Sequence, residues 1–188
     1  MHTDGPLMVI AGAGSGKTRV LTYRIAYLIQ RGVDPFSILA LTFTNKAARE
    51  MKSRIAEVIG EGEARNIWMG TFHSIFARIL RMECERINYL RNFTIYDTQD
   101  SRALIKDIIK GLGLDDKVYK PASIQGRISN AKNNLIDAQG YSQHTEIMSE
   151  DAQAGRPRVH EVYRAYENRC FRAQAMDFDD LLFKMNVL

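Results

Sequence analysis

The chain has 188 residues, 45% of them hydrophobic, with 26 Lys and Arg against 22 Asp and Glu for a formal net charge of +4. That length buries a real core in one domain or two small ones, while the charge favours an anionic partner too weakly to identify one. The longest apolar runs are far too short to span a bilayer, and the opening Met1-His2-Thr3-Asp4-Gly5-Pro6 lacks the layout of a signal peptide, so a cytoplasmic location is expected.

The first predicted element is a short buried strand, Leu7-Met8-Val9-Ile10, which feeds directly into Ala11-Gly12-Ala13-Gly14-Ser15-Gly16-Lys17-Thr18. Glycines at this spacing let successive backbone N–H groups turn toward one anion. Lys17 can place a point charge on the β and γ phosphates, and the Thr18 hydroxyl suits magnesium. A helix beginning near Gly16, with Val20, Leu21, Tyr23, Ile25, Ala26, Leu28 and Ile29 in an amphipathic stretch, aims its positive end at the same phosphates. Strand, loop and helix together mark a nucleotide triphosphate site and leave open what the triphosphate drives.

Two more units repeat the plan. Ile38-Leu39-Ala40-Leu41-Thr42 reads as a strand running into a helix from Phe43-Thr44-Asn45 onward, with Asn45 as its cap. Ile67-Trp68-Met69-Gly70 reads as another, followed by the turn Thr71-Phe72-His73-Ser74 and a helix with Ile75, Phe76, Ile79, Leu80 and Ile87 on one face. Three strand-turn-helix units imply a parallel sheet covered by helices, an α/β fold whose ligands gather at the carboxyl ends of the strands. By residue type alone, Phe43 and Phe72 are either core residues or rings on which unpaired bases stack, and Thr71 is either a cap or a phosphate contact.

From about Thr98 helical periodicity takes over. One helix starts at Thr98-Gln99-Asp100-Ser101 and stops near Gly111 and Gly113, a second starts after Pro121, and a third carries Val162, Tyr163, Tyr166 and Cys170 on one side. Residues 137–157 are polar and turn-rich, expected as loop with at most a short helix. Residues 117–136 carry Lys117, Lys120, Arg127 and Lys132 without a single carboxylate, which suits a phosphate backbone or, equally, a solvated face neutralised from another segment. Cys84 and Cys170 lie in helical patterns without a metal-like partner and read as buried thiols. In Met176-Asp177-Phe178-Asp179-Asp180, the acids suggest a helix cap with charge-dipole support before they suggest a metal site.

Taken in order, AGAGSGKTRVL, ILALTFTNKAAREM, GTFHS and AMDFDDLL resemble the N-terminal part of a UvrD/Rep/PcrA-type superfamily I DNA helicase, and the similarity covers nearly the whole chain. The resemblance implies a P-loop, RecA-like parallel sheet, incomplete here, with an α-helical insertion. Residues 1–98 would begin the motor domain, 99–172 would form the insertion, and 173–188 would return to the motor. It makes residues 11–18 the Walker A loop for ATP and Mg2+, places Arg19 near the adenine, and sets Phe43, Thr44, Asn45, Thr71, Phe72 and His73 along a single-stranded DNA track. Its implied partners are single-stranded DNA, a duplex junction and the remainder of the motor. The Asp-Glu strand, the arginine fingers and the second motor domain of that family are not among these residues, so weak binding and little turnover are expected of them alone. Rival readings are a helicase-nuclease subunit of the AddA or RecB type, a non-catalytic nucleotide or DNA-binding module, and a small-molecule kinase, the last leaving both aromatic segments unexplained.

Overall fold

The computed structural model describes residues 5–12 and 14–188, and it divides into two compact units, residues 1–75 and 76–188. Ala13 of the predicted loop lies outside the described residues.

In the first unit, helix α1 (Lys17–Gln30) precedes strand β1 (Leu39–Thr42), helices α2 (Asn45–Ile59) and α3 (Glu61–Asn66), and strand β2 (Trp68–Thr71). The two strands pair in parallel, Leu39 opposite Trp68 and Thr42 opposite Thr71. Ile25, Ile38, Ala40, Met51, Ile55, Ala64 and Ile67 form its core, and Met51 and Ile55 of α2 are fully buried in it. The predicted first strand is not formed: residues 7–10 carry no regular secondary structure, and Met8 and Ile10 are 84% and 91% exposed. A strand is stable only as part of a ladder, and among the described residues no second strand lies alongside this run to accept its backbone groups.

Helix α4 (Phe72–Met82) leads into the second unit. It ends at Met82, so Ile87, expected on its apolar face, belongs to the separate 3-10 turn Cys84–Ile87. Then come strand β3 (Thr94–Ile95), helices α5 (Thr98–Gly111), α6 (Pro121–Asn133), α7 (Ala138–Gln143), α8 (Thr145–Gln153) and α9 (Val159–Arg172), strand β4 (Ala175–Met176) and helix α10 (Phe178–Val187). The stretch expected to be loop therefore holds two short helices. Their burial explains this: Ala138 and Tyr141 enter the main core with Ile105, Ile109, Ile124, Ile128, Val162, Tyr163 and Tyr166. Cooperative packing overrides a polar, turn-rich composition. The pair β3–β4 is also parallel and, at two residues each, too short to carry a sequence signal. Each strand runs into an aspartate-capped helix: Asp97 accepts from the Gln99 and Asp100 backbone, and Asp177 from that of Asp180. The cap reading of the Asp177 segment is thus what the structure contains.

Those carboxylates answer the question of the basic stretch. Lys132, a candidate for DNA phosphates or for neutralisation by another segment, follows the second course: its side chain is 2% exposed, with Nζ 2.7 Å from Asp177 Oδ2 and 2.8 Å from Asp180 Oδ1. The Tyr166 hydroxyl donates to Asp177 as well, at 2.8 Å. Lys132 is a buried cation joining α6 to the start of α10, and it is removed from the nucleic-acid contacts. Arg127 is also neutralised, by Glu150 at 3.1 Å and Asp151 at 3.0 Å, and it donates to the Ile147 carbonyl. It pins α8 to α6. The counter-charges lie 23 to 48 residues further along the chain, where periodicity within the stretch cannot reveal them. Lys120 remains exposed at the start of α6.

Burial pushes Asp180 up, helped by the Asp177 carboxylate and opposed by Lys132, to about 6. Burial also works against the ionised Asp177, but Lys132 prevails and holds it below its ordinary value. Burial raises the Cys170 thiol to about 12, as suits an unreactive core residue.

Replacing Lys132 by Met strands two buried carboxylates and is expected to lower unfolding free energy by about 3–5 kcal/mol, whereas Lys120→Ala should change it by less than ~0.5 kcal/mol in the same denaturant titration. Asp180 binds its proton more tightly folded than unfolded, so its contribution to stability is present at low pH and is lost as pH rises from about 4 through about 6. Asp180→Asn should therefore gain on the parent chain by on the order of 2 kcal/mol between pH 4 and pH 7, read from paired urea titrations.

Candidate nucleotide and nucleic-acid site

The glycine loop closes by its own hydrogen bonds. Ser15 Oγ donates to the Gly12 carbonyl at 2.7 Å, and Lys17 Nζ donates to the carbonyls of Gly12 at 2.8 Å and Ala11 at 3.2 Å. Gly14 and Gly16 have φ of +75° and +84°, a region that side chains other than glycine rarely adopt. Gly16 caps α1 without a side-chain hydrogen bond, and no acid occupies the first turn. Among the described residues no side chain caps the first backbone N–H groups of α1, which lie beside an ammonium bonded to two loop carbonyls. Thr18 is half-buried on this turn, and its carbonyl accepts from Thr22 Oγ1 at 2.9 Å. Arg19 is exposed, its guanidinium carbon 5.6 Å from the Tyr23 ring centre.

Parallel pairing brings the ends of β1 and β2 out of the same edge. Phe43, 92% exposed, leans on Phe72 with ring centres 5.4 Å apart and planes tilted by 40°. Thr44, not Asn45, caps α2: its Oγ1 accepts from the Ala47 backbone at 3.2 Å. Asn45 becomes the first helical residue and is exposed. Thr71 is buried and held by Ser74, whose Oγ accepts from the Thr71 backbone at 3.0 Å and donates to its carbonyl at 2.9 Å. Thr71 therefore shapes the turn, while Phe72 and His73 are half-buried beside it.

With this geometry in view, known proteins supply the context. The sequence profile of the UvrD/REP helicase N-terminal domain matches residues 1–188. The chain belongs to that family. Among curated relatives, proteins named ATP-dependent DNA helicase PcrA are 50% identical over 181 residues in Leuconostoc citreum and 48% identical over 182 residues in Staphylococcus aureus. In Staphylococcus epidermidis the figure is 48% over 186 residues. Each alignment takes in 96% of this chain and only 23–24% of the relative, so the chain spans about a quarter of the length of these proteins. No helix among the described residues is long and apolar enough to cross a membrane.

One residue that sequence reasoning passed over as ordinary strand is Gly70. A Cβ added there would stand 2.7 Å from Ser74 Oγ and 2.9 Å from Ile75 Cγ1, so only glycine lets α4 start this close to β2. In this member of the UvrD/REP family, that approach holds the Thr71–Ser74 turn under Phe72. Gly70→Ala is expected to cost about 1–3 kcal/mol of stability by overpacking, seen as a lowered melting temperature.

Proposed function

We propose that this chain is the first part of a motor that couples ATP hydrolysis to movement along single-stranded DNA, 3′ to 5′, and to separation of duplex strands. The observation that carries the reading is one compact unit holding both an uncapped helix start behind a lysine-bearing glycine loop and an exposed, ring-supported phenylalanine at the strand ends. A phosphate chain satisfies the first, and an unpaired base stacks on the second. The curated relatives, being ATP-dependent DNA helicases by name, agree with this pairing.

In this reading Ala11, Gly12 and residues 14–16 cradle the phosphates, and Lys17 exchanges its carbonyl partners for the β and γ oxygens. Thr18 presents its hydroxyl to magnesium, which when bound neutralises phosphate charge. Phe43 takes a base, and Thr44, Asn45 and His73 flank the backbone of the strand. Residues 1–98 and 173–188 belong to the motor domain, and 99–172 form its helical insertion, on which the exposed Lys120 serves DNA phosphates. The attacking water and the developing phosphoryl charge call for carboxylate and arginine groups that these residues do not supply, so they bind nucleotide with little turnover alone.

In calorimetry, Lys17→Ala should weaken ATP binding while leaving the melting temperature unchanged; equal affinity would remove the cradle. Phe43→Ala should cost about 1–3 kcal/mol of oligonucleotide affinity with little change in stability, since the ring lies outside the core. An ATPase assay should give little turnover with or without oligonucleotide, and robust stimulated hydrolysis would overturn that part of the reading.

A further inference from the structure

Tyr23 sits on α1 one helical turn after Arg19, and the residue is 47% exposed. Thr22, Ile25 and Ala26 are the buried residues of α1, with Leu21, Leu28 and Ile29 packed against the core, whereas Tyr23 stays open to solvent. Its visible partner is the Arg19 guanidinium, 5.6 Å from the ring centre. Arg19 follows Thr18 directly, and no acid in the first turn competes for it. A guanidinium is flat and can stack on both faces, so one resting on a ring keeps the other available. Left unsupported, a long arginine would lose rotamer freedom on each binding event; a ring one turn away offsets part of that loss in advance.

We infer that Tyr23 is a positioning residue for nucleotide: its ring holds the Arg19 guanidinium plane beside the phosphate loop, so that the opposite face receives the base of a bound nucleoside triphosphate. This rests on the nucleotide reading above and extends it to a residue that touches neither phosphate nor base. Bare polyphosphate has no base to stack, and Tyr23 contributes nothing to holding it.

The test is calorimetry of the 188-residue chain with two ligands, ATP and inorganic tripolyphosphate, each with magnesium. Tyr23→Leu is expected to weaken ATP roughly two- to fivefold, the size of an exposed cation-ring contact, and to leave tripolyphosphate unchanged. Tyr23→Phe, which keeps the ring, should retain the parent affinity for ATP. In an Arg19→Ala background, adding Tyr23→Leu should have no further effect, because the two residues act as a unit. Equal weakening of both ligands, no effect on ATP, or simple additivity with Arg19→Ala would each overturn the assignment while leaving the phosphate cradle standing. A parent chain that fails to hold tripolyphosphate would take down the cradle and this inference together.

Discussion

The parallel pairing of β1 with β2 is the constraint on which the functional reading depends. Two strands that run the same way and start in register, Leu39 with Trp68, must also end together, at Thr42 and Thr71. Whatever follows them emerges side by side. Here that is Phe43 and Phe72, whose rings meet although they are far apart in sequence. An antiparallel pair would send the two aromatics to opposite ends. Gly70 then permits α4 to begin at once, so the Thr71–Ser74 turn stays beneath the second ring.

Charge is handled differently in the two units. The loop of the first exposes its polar groups: among the described residues Lys17 bonds the carbonyls of Ala11 and Gly12, and α1 starts without a side-chain cap. In the second unit the corresponding groups are consumed. Asp97 and Asp177 cap the helices that follow β3 and β4, and Lys132 lies buried against Asp177 and Asp180. One cation between two carboxylates leaves the node a negative charge in excess, and burial resists it by raising Asp180. A helix start without a side-chain cap and one closed by aspartate are the same backbone geometry with different charge at its positive end.

Much of this was legible from residue order. The glycine loop, its lysine and the helix behind it stand in one unbroken segment, and the helices over α5, α6 and α9 follow from local apolar spacing. The failures share one cause, dependence on a partner distant in the chain. Residues 7–10 have the composition of a buried strand but, among the described residues, no ladder beside them. Lys132 and Arg127 look free because their carboxylates come from other helices. Helices α7 and α8 look like loop until Tyr141 is seen in the core. The shift of the cap from Asn45 to Thr44 is a smaller matter, since adjacent polar residues compete for one position by backbone angle.

By itself, the sequence determined the chemistry on offer: a glycine-rich loop with a lysine, two aromatic strand ends and a helical second half, each encoded in its own short stretch of chain. Only the tertiary structure decided which charges are available to a ligand. Whether a lysine faces water or a carboxylate depends on segments brought together from opposite ends of a unit, and a buried pair gains its strength from exclusion of solvent, which no stretch of sequence specifies alone.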